Sequence, residues 1–132
     1  MCGFIGFTGI VEKRREVLSR MAERIIHRGP DSGGFYLTDE GDALTPVALG
    51  FRRLSIIDLA DGSQPMYNED GSVVIVYNGE IYNFMELRQT LIEAGHVFRT
   101  RCDTEVILHG YEEYGEKIVE KLRGMFAGGI HD

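Results

Sequence analysis

The stretch VVIVYNGEIYNF, residues 73–84, decides the reading of the chain, because a strand signal passes into a helix signal within it. Val73, Val74, Ile75, Val76 and Tyr77 are all β-branched or aromatic, the composition of a buried strand. Asn78-Gly79 follows directly. By turn chemistry that dipeptide is a hairpin corner, since both residues tolerate positive φ. A strand end of this kind can also aim a side-chain amide and a glycine N–H at one point, as an oxyanion hole requires, and the sequence leaves both readings open. Asn83, with Glu86 three residues on, then makes a capping-box pattern, and Phe84, Leu87, Leu91 and Ile92 carry an apolar stripe up to Gly95.

Working outward, residues 47–51 and 35–37 are strand candidates set between turn clusters. Residues 3–10 (GFIGFTGI) are a short apolar run punctuated by glycine, too short for a helix and read as a buried strand. Between them, residues 12–26 space Val17, Leu18, Met21, Ala22 and Ile25 as an amphipathic helix, which HRGPDSGG (27–34) breaks with Gly29 and Pro30. Downstream, residues 104–114 repeat helical spacing through Ile107, Leu108, Tyr111 and Tyr114. Gly110 falls inside that helix, at a cost of about 1 kcal/mol relative to alanine. A short helix through Ile118, Val119 and Leu122 and a strand beginning at MFAGGIHD complete the pattern. Strands interleaved with helices, but joined by short turns between residues 47 and 77, predict an α+β layered sandwich rather than regular βαβ winding.

A chain of 132 residues, 43% hydrophobic and 27% charged, suits one globular domain. Its 14 basic against 21 acidic residues leave a net charge of -7, the wrong sign for a phosphate-backbone partner, so no nucleic acid is expected. No apolar run approaches the roughly 20 residues that cross a bilayer. The apolar start MCGFIGFTGIV precedes the charges EKRRE, the reverse of a secretory signal, so no membrane association and a cytoplasmic setting are expected. In that reducing compartment Cys2 and Cys102 remain free thiols. The histidines (His27, His96, His109, His131) show no His-x-x-x-His spacing and the cysteines no Cys-x-x-Cys, so no metal site is expected. No Gly-rich loop ends in Gly-Lys, and Gly3, Gly6 and Gly9 do not match the dinucleotide fingerprint, so no nucleotide site is assigned.

Cys2 carries most of the chemical interest. A small second residue lets methionine aminopeptidase remove Met1, after which one residue holds both a thiol and an α-amine of reference pKa about 7.7–8.0, near the value a general base needs. Nucleophile and base then share one residue. Taken alone, Cys2 reads more simply as a small residue opening a buried strand. Arg53, after the strand at 47–51, offers a guanidinium fork suited to a carboxylate, or is a surface arginine. Asp103 stands where a helix starts and is an N-cap or a ligand, while Glu80 is a solvated carboxylate or a partner for an ammonium group.

In order along the chain stand MCGFIG at 1–6, HRGPDSGG at 27–34, RLSIIDL at 53–59, QPM at 64–66, YNGEIYNF at 77–84 and CDTEVIL at 102–108. With these motifs the chain resembles the glutaminase domain of glutamine-hydrolysing asparagine synthetases, a class II glutamine amidotransferase of the N-terminal nucleophile hydrolase type. The likeness runs from Met1 to about Met125. It implies a four-layer αββα sandwich over residues 1–132, incomplete at its C-terminus because family members continue past GMFA with further sheet.

The resemblance further implies that Cys2, freed of Met1, attacks the side-chain carboxamide of L-glutamine, releasing ammonia and then glutamate. Asn78 and the backbone N–H of Gly79 match the oxyanion hole. Arg53 matches the position that holds the substrate carboxylate. Backbone of the following segment, Leu54, Ser55, Ile56 and Ile57, together with Glu80 and Asp103, matches the positions around the ammonium end. One cation and paired acids suit a zwitterion, and such remote contacts position the amide carbon against the sulfur. The ammonia would serve asparagine synthesis from aspartate in a synthetase domain that this chain lacks, and ATP and Mg are expected only there. Ser32-Gly33-Gly34 is not followed by the acidic and hydroxyl residues of that domain's pyrophosphate loop. No cofactor is expected in this chain, and a homodimer is the oligomer entertained. Other class II amidotransferases, of sugar-phosphate or purine synthesis, and a non-catalytic glutamine-binding module are the rival readings.

Overall fold

The computed structural model describes residues 2–39, 41, 45–55 and 62–132. Its first sheet is built from β1 (Gly3–Thr8), β2 (Ser32–Leu37) and β3 (Val47–Arg53), all antiparallel, with β3 in the centre. β1 aligns Gly3 with Arg52 and Thr8 with Val47, and β2 aligns Ser32 with Arg53 and Leu37 with Ala48. The register therefore brings the start of β1, the start of β2 and the end of β3 to one rim of the sheet. Segment 32–37, excluded as a pyrophosphate loop, is strand β2.

The second sheet consists of β4 (Met66–Tyr67), β5 (Val74–Ile81) and β6 (Gly124–His131), with β5 central and antiparallel to both neighbours. Asn78-Gly79 does not turn a hairpin. β5 runs straight through it, pairing Asn78 with Ala127 and Gly79 with Phe126. Tertiary pairing with β6 overrides the local turn preference. The absent side chain at Gly79 is what lets β6 approach, since a Cβ there would stand 2.3 Å from the Met125 carbonyl oxygen. β6 forms one edge of this sheet, with Met125 71% exposed.

Helix α1 (Arg14–Arg24) packs on the outer face of the first sheet through buried Leu18 and Ala22. Arg14 is buried as well, its guanidinium donating to the Thr38 hydroxyl at 3.2 Å and the Thr38 carbonyl at 2.6 Å. On the far side, α3 (Asp103–Tyr114) lays Ile107 and Leu108 on Ile75, Tyr77 and Ile81 of β5, and α2 (Phe84–Glu93) packs against α3. Each fully buried Leu or Ile of this kind contributes about 1.5–3 kcal/mol. The two sheets face one another, with Leu49 of β3 and Val76 of β5 meeting beside Gly129. The layers run α, β, β, α, as the resemblance implied.

The sequence placed Gly110 inside a helix without a reason. The structure supplies one, because a Cβ there would lie 2.4 Å from Ile118 Cδ1, where α4 (Ile118–Lys121) folds back on α3. The capping box does not form. α2 does start after Asn83, but the side chain makes no cap bond and instead donates to the Lys121 carbonyl at 2.9 Å and accepts from the Arg123 N–H at 2.9 Å. A pair of backbone groups just before β6 competes successfully for the amide.

Candidate functional site

The rim where β1 begins and β3 ends faces β5 across a cavity of about 130 Å³ whose walls include Cys2, Arg53, Gln64, Asn78, Gly79 and Asp103. A larger apolar hollow of about 310 Å³ lies between β5, β6 and the α3–α4 corner, but its walls, Ile75, Ile107, Ile118 and Ile130 among them, include no thiol. The candidate site is the smaller one, which holds the Cys2 thiol.

Cys2 is half-buried, with Leu54 main chain against its sulfur and the Arg28 side chain on its carbonyl. The Leu54 N–H donates to Cys2 Sγ at 3.4 Å, the sulfur lies 3.8 Å from the Leu54 carbonyl, and the Arg28 Nε–H donates to the Cys2 carbonyl at 3.1 Å. Segment 53–55 is shaped in turn by HRGPDSGG. Asp31 donates its N–H to the Arg53 carbonyl at 3.1 Å and accepts the Ser55 N–H on its carboxylate at 2.7 Å. Gly29 is pressed so close that a Cβ would stand 2.3 Å from the Arg52 carbonyl carbon. This motif, read from sequence as the break after the first helix, is the support under the cysteine.

On the opposite wall, successive N–H groups of β5 alternate between its two edges. Tyr77 sends its N–H to Gln64 Oε1 at 2.6 Å, and Ile81 sends its own to Asp103 Oδ2 at 3.0 Å. Gly79 lies midway between them, so its N–H points to the same edge, past the end of β4 and into the cavity. The Asn78 side chain projects to the opposite face, toward the first sheet and Cys2, as Val76 does. An amide side chain and a main-chain N–H thus border one space beside a thiol, an arrangement able to hold negative charge developing on a carbonyl oxygen.

Asp103 is the first residue of α3, and Cys102 occupies the cap position. The carboxylate does not cap the helix because β5 claims it: the Tyr77 hydroxyl donates to Oδ2 at 3.1 Å, beside the Ile81 N–H. Burial, and then the Asp103 carboxylate beside it, push the Tyr77 phenol far above its usual 10.0, so this hydroxyl remains a donor. Of the positions singled out in the sequence, Cys2, Arg53, Asn78, Gly79 and Asp103 meet in the cavity, and Leu54 touches the sulfur. Ser55 lies just beyond, tied to Asp31. Glu80 is exposed on β5 and is not part of the cavity wall. Ile56 and Ile57 lie outside the described residues.

Sequence reasoning missed Arg28, Gln64 and Tyr77. All three stood in quoted motifs, yet nothing in their spacing shows that they reach across 13 to 26 residues to their partners. It also missed the meeting of His96 with His109 and Glu112, whose ligand-type atoms lie within 4.8 Å of one another. His109 Nδ1 and Glu112 Oε2 are hydrogen-bonded to each other at 2.8 Å. Both cysteines are free, and among the described residues no helix is long and apolar enough to cross a membrane.

Comparison with known proteins places the chain in a family. Among curated proteins, asparagine synthetase [glutamine-hydrolyzing] 1 of Bacillus subtilis (strain 168) is 45% identical over 132 residues, covering 96% of this chain and 20% of that protein. The glutamine-hydrolyzing asparagine synthetase of Asparagus officinalis is 47% identical over 131 residues, covering 96% and 21%. The chain therefore spans about a fifth of the length of these relatives. The fold is shared with the glutamine phosphoribosylpyrophosphate amidotransferase of B. subtilis solved with ADP and GMP, at a TM-score of 0.75 and 18% identity over 98% of this chain and 35% of that one. A structure described as the allosteric regulatory enzyme of purine biosynthesis matches at a TM-score of 0.77 and 22% identity, with the same coverage. Residues 1–132 match the glutamine amidotransferase domain throughout, and the chain belongs to that family.

Proposed function

We propose that this chain, with Met1 removed, hydrolyses L-glutamine to glutamate and ammonia through a thioester on Cys2. The observation that carries the reading is the convergence of the Cys2 thiol, Asn78, the Gly79 N–H, Arg53 and Asp103 on one cavity. Arg53 binds the α-carboxylate and Asp103 the α-ammonium, with Glu80 adding negative charge from the rim. These contacts hold the side-chain amide carbon against sulfur.

The free α-amine of Cys2 takes the thiol proton as sulfur bonds to the amide carbon. The carbonyl oxygen becomes an oxyanion between Asn78 Nδ2 and the Gly79 N–H, where fixed donors stabilise the charge without reorganising. The protonated amine passes its proton to the leaving nitrogen, the C–N bond breaks and ammonia departs. Water, deprotonated by the same amine, adds to the thioester; the C–S bond breaks, and glutamate and the thiol are restored.

The relatives' names favour asparagine synthesis as the destination of the ammonia, with aspartate as the acceptor we propose. ATP and Mg would then be handled by a synthetase region outside this chain. A cytoplasmic setting suits a mechanism that needs a reduced thiol. Glutamate release from glutamine tests the reading. Cys2→Ala is expected to lower turnover at least about 10³-fold while glutamine still binds by calorimetry. Unchanged release would overturn the assignment, and binding without turnover in the Met1-free wild type would identify a glutamine-binding module instead.

A further inference from the structure

We infer that Tyr77 is a positioning residue for substrate recognition: its hydroxyl, with the Ile81 N–H, occupies Asp103 Oδ2 and so turns Oδ1 toward the cavity to read the substrate's α-ammonium group. The inference rests on the glutaminase reading above and adds a specificity device to it. Two donors from one strand converge on a single oxygen, at 3.1 Å and 3.0 Å. Among the described residues, Asp103 Oδ1 accepts no hydrogen bond, although Asp103 lines the cavity.

The supporting strand is itself anchored at the right height. Tyr77 is 3% exposed, with its ring on the α3 side of β5 among Ile75, Ile81 and Ile107, and its N–H is bound to Gln64 Oε1. The ring is thus packed on the side of β5 from which its hydroxyl reaches Asp103. Burial and the neighbouring carboxylate keep the phenol protonated across the working range of pH, so the donor is constant. A carboxylate with both oxygens free rotates about its Cβ–Cγ bond. One oxygen held by two donors leaves the other with a defined direction, and a directed acceptor discriminates ligands that carry an ammonium group from those that do not.

The test compares L-glutamine with 4-carbamoylbutanoate, which keeps the amide and carboxylate but lacks the α-amino group. With the Met1-free chain, Tyr77→Phe is expected to raise KM for L-glutamine about tenfold, the loss of one charge-assisted hydrogen bond, with kcat changed less than about twofold. kcat/KM for 4-carbamoylbutanoate is expected to stay unchanged, which also shows that the variant folds. In an Asp103→Asn background the further effect of Tyr77→Phe disappears. Calorimetry in the Cys2→Ala background gives the same selectivity without turnover. Equal losses for both ligands, no loss for glutamine, or an undiminished Tyr77→Phe effect in the Asp103→Asn background would overturn the role of Tyr77 and leave the glutaminase reading standing. A wild-type chain that releases no glutamate would overturn that reading, and this one with it.

Discussion

The two sheets meet across one cavity but hold their functional groups by different means. The first sheet places the Cys2 sulfur chiefly by main-chain packing, with the Leu54 N–H on the sulfur and Gly29 pressed against the end of β3, and a single side chain, Arg28, on the Cys2 carbonyl. The second sheet holds its recognition groups with side chains: Gln64 and Asp103 take alternate N–H groups of β5, and the Tyr77 hydroxyl adds a second bond to Asp103. A nucleophile must sit within bonding distance of its target, and close main-chain packing sets position without rotatable bonds. Recognition needs direction and charge, which carboxylates and amides supply. The first wall should therefore be sensitive to added volume and the second to lost polarity.

Asn78→Ala should give the largest effect on the second wall. Removing one oxyanion donor is expected to lower kcat about 10²–10³-fold with little change in KM, measured by glutamate release. A pure KM effect would move Asn78 from the chemical step to binding and break the division between the walls.

Gly29→Ala probes the first wall. The added methyl would lie 2.3 Å from the Arg52 carbonyl carbon, so main chain must shift. Overpacking of this kind is expected to cost about 1–3 kcal/mol in urea unfolding. The shift should also lower the rate at which Cys2 is alkylated by iodoacetamide. A variant with wild-type stability and labelling would show that HRGPDSGG does not support the cysteine.

The smallest expected effect comes from the carboxylates of α3. Burial alone would raise Glu105, but the Arg99 N–H, the hydroxyl and N–H of Thr100, and His109 outweigh it and hold this carboxyl below its usual 4.5. Glu112 is likewise held low, with burial overcome by Asn68 and His109. Because both are depressed in the folded chain, their stabilisation is complete above pH 4.5 and declines as pH falls below it through their folded values. Urea midpoints should therefore drop below pH 4.5 in the wild type and drop less steeply in Glu105→Gln. Parallel pH curves would remove Glu105 from the explanation.

Most of the architecture is legible in the sequence because it depends on periodicity. Leu18 and Ala22 face a sheet, Ile107 and Leu108 face another, and the residues around Val76 are apolar on both sides because helix and sheet cover both faces. The proposed nucleophile was legible because a cysteine beside the initiator methionine can be seen in the first residues of the sequence. What sequence could not resolve is competition for a polar group. Asn78-Gly79 is a turn until β6 pairs with it, Asn83 is a cap until residues 121 and 123 claim it, and Asp103 is a cap until Tyr77 and Ile81 bind it. In each case the local sequence allows two partners, and only the fold decides which is near. The histidines show the same limit, since His96 and His109 meet through the packing of α2 on α3 rather than through spacing.

The central claim is that the sulfur of Cys2 attacks the amide carbon of glutamine. Its most direct test is exposure of the Met1-free chain to 6-diazo-5-oxonorleucine, an electrophilic glutamine analogue, followed by peptide mass spectrometry. One adduct on Cys2, blocked by excess L-glutamine and absent from Cys102, is the result expected; an unmodified Cys2, or labelling of both cysteines that glutamine does not slow, would contradict it.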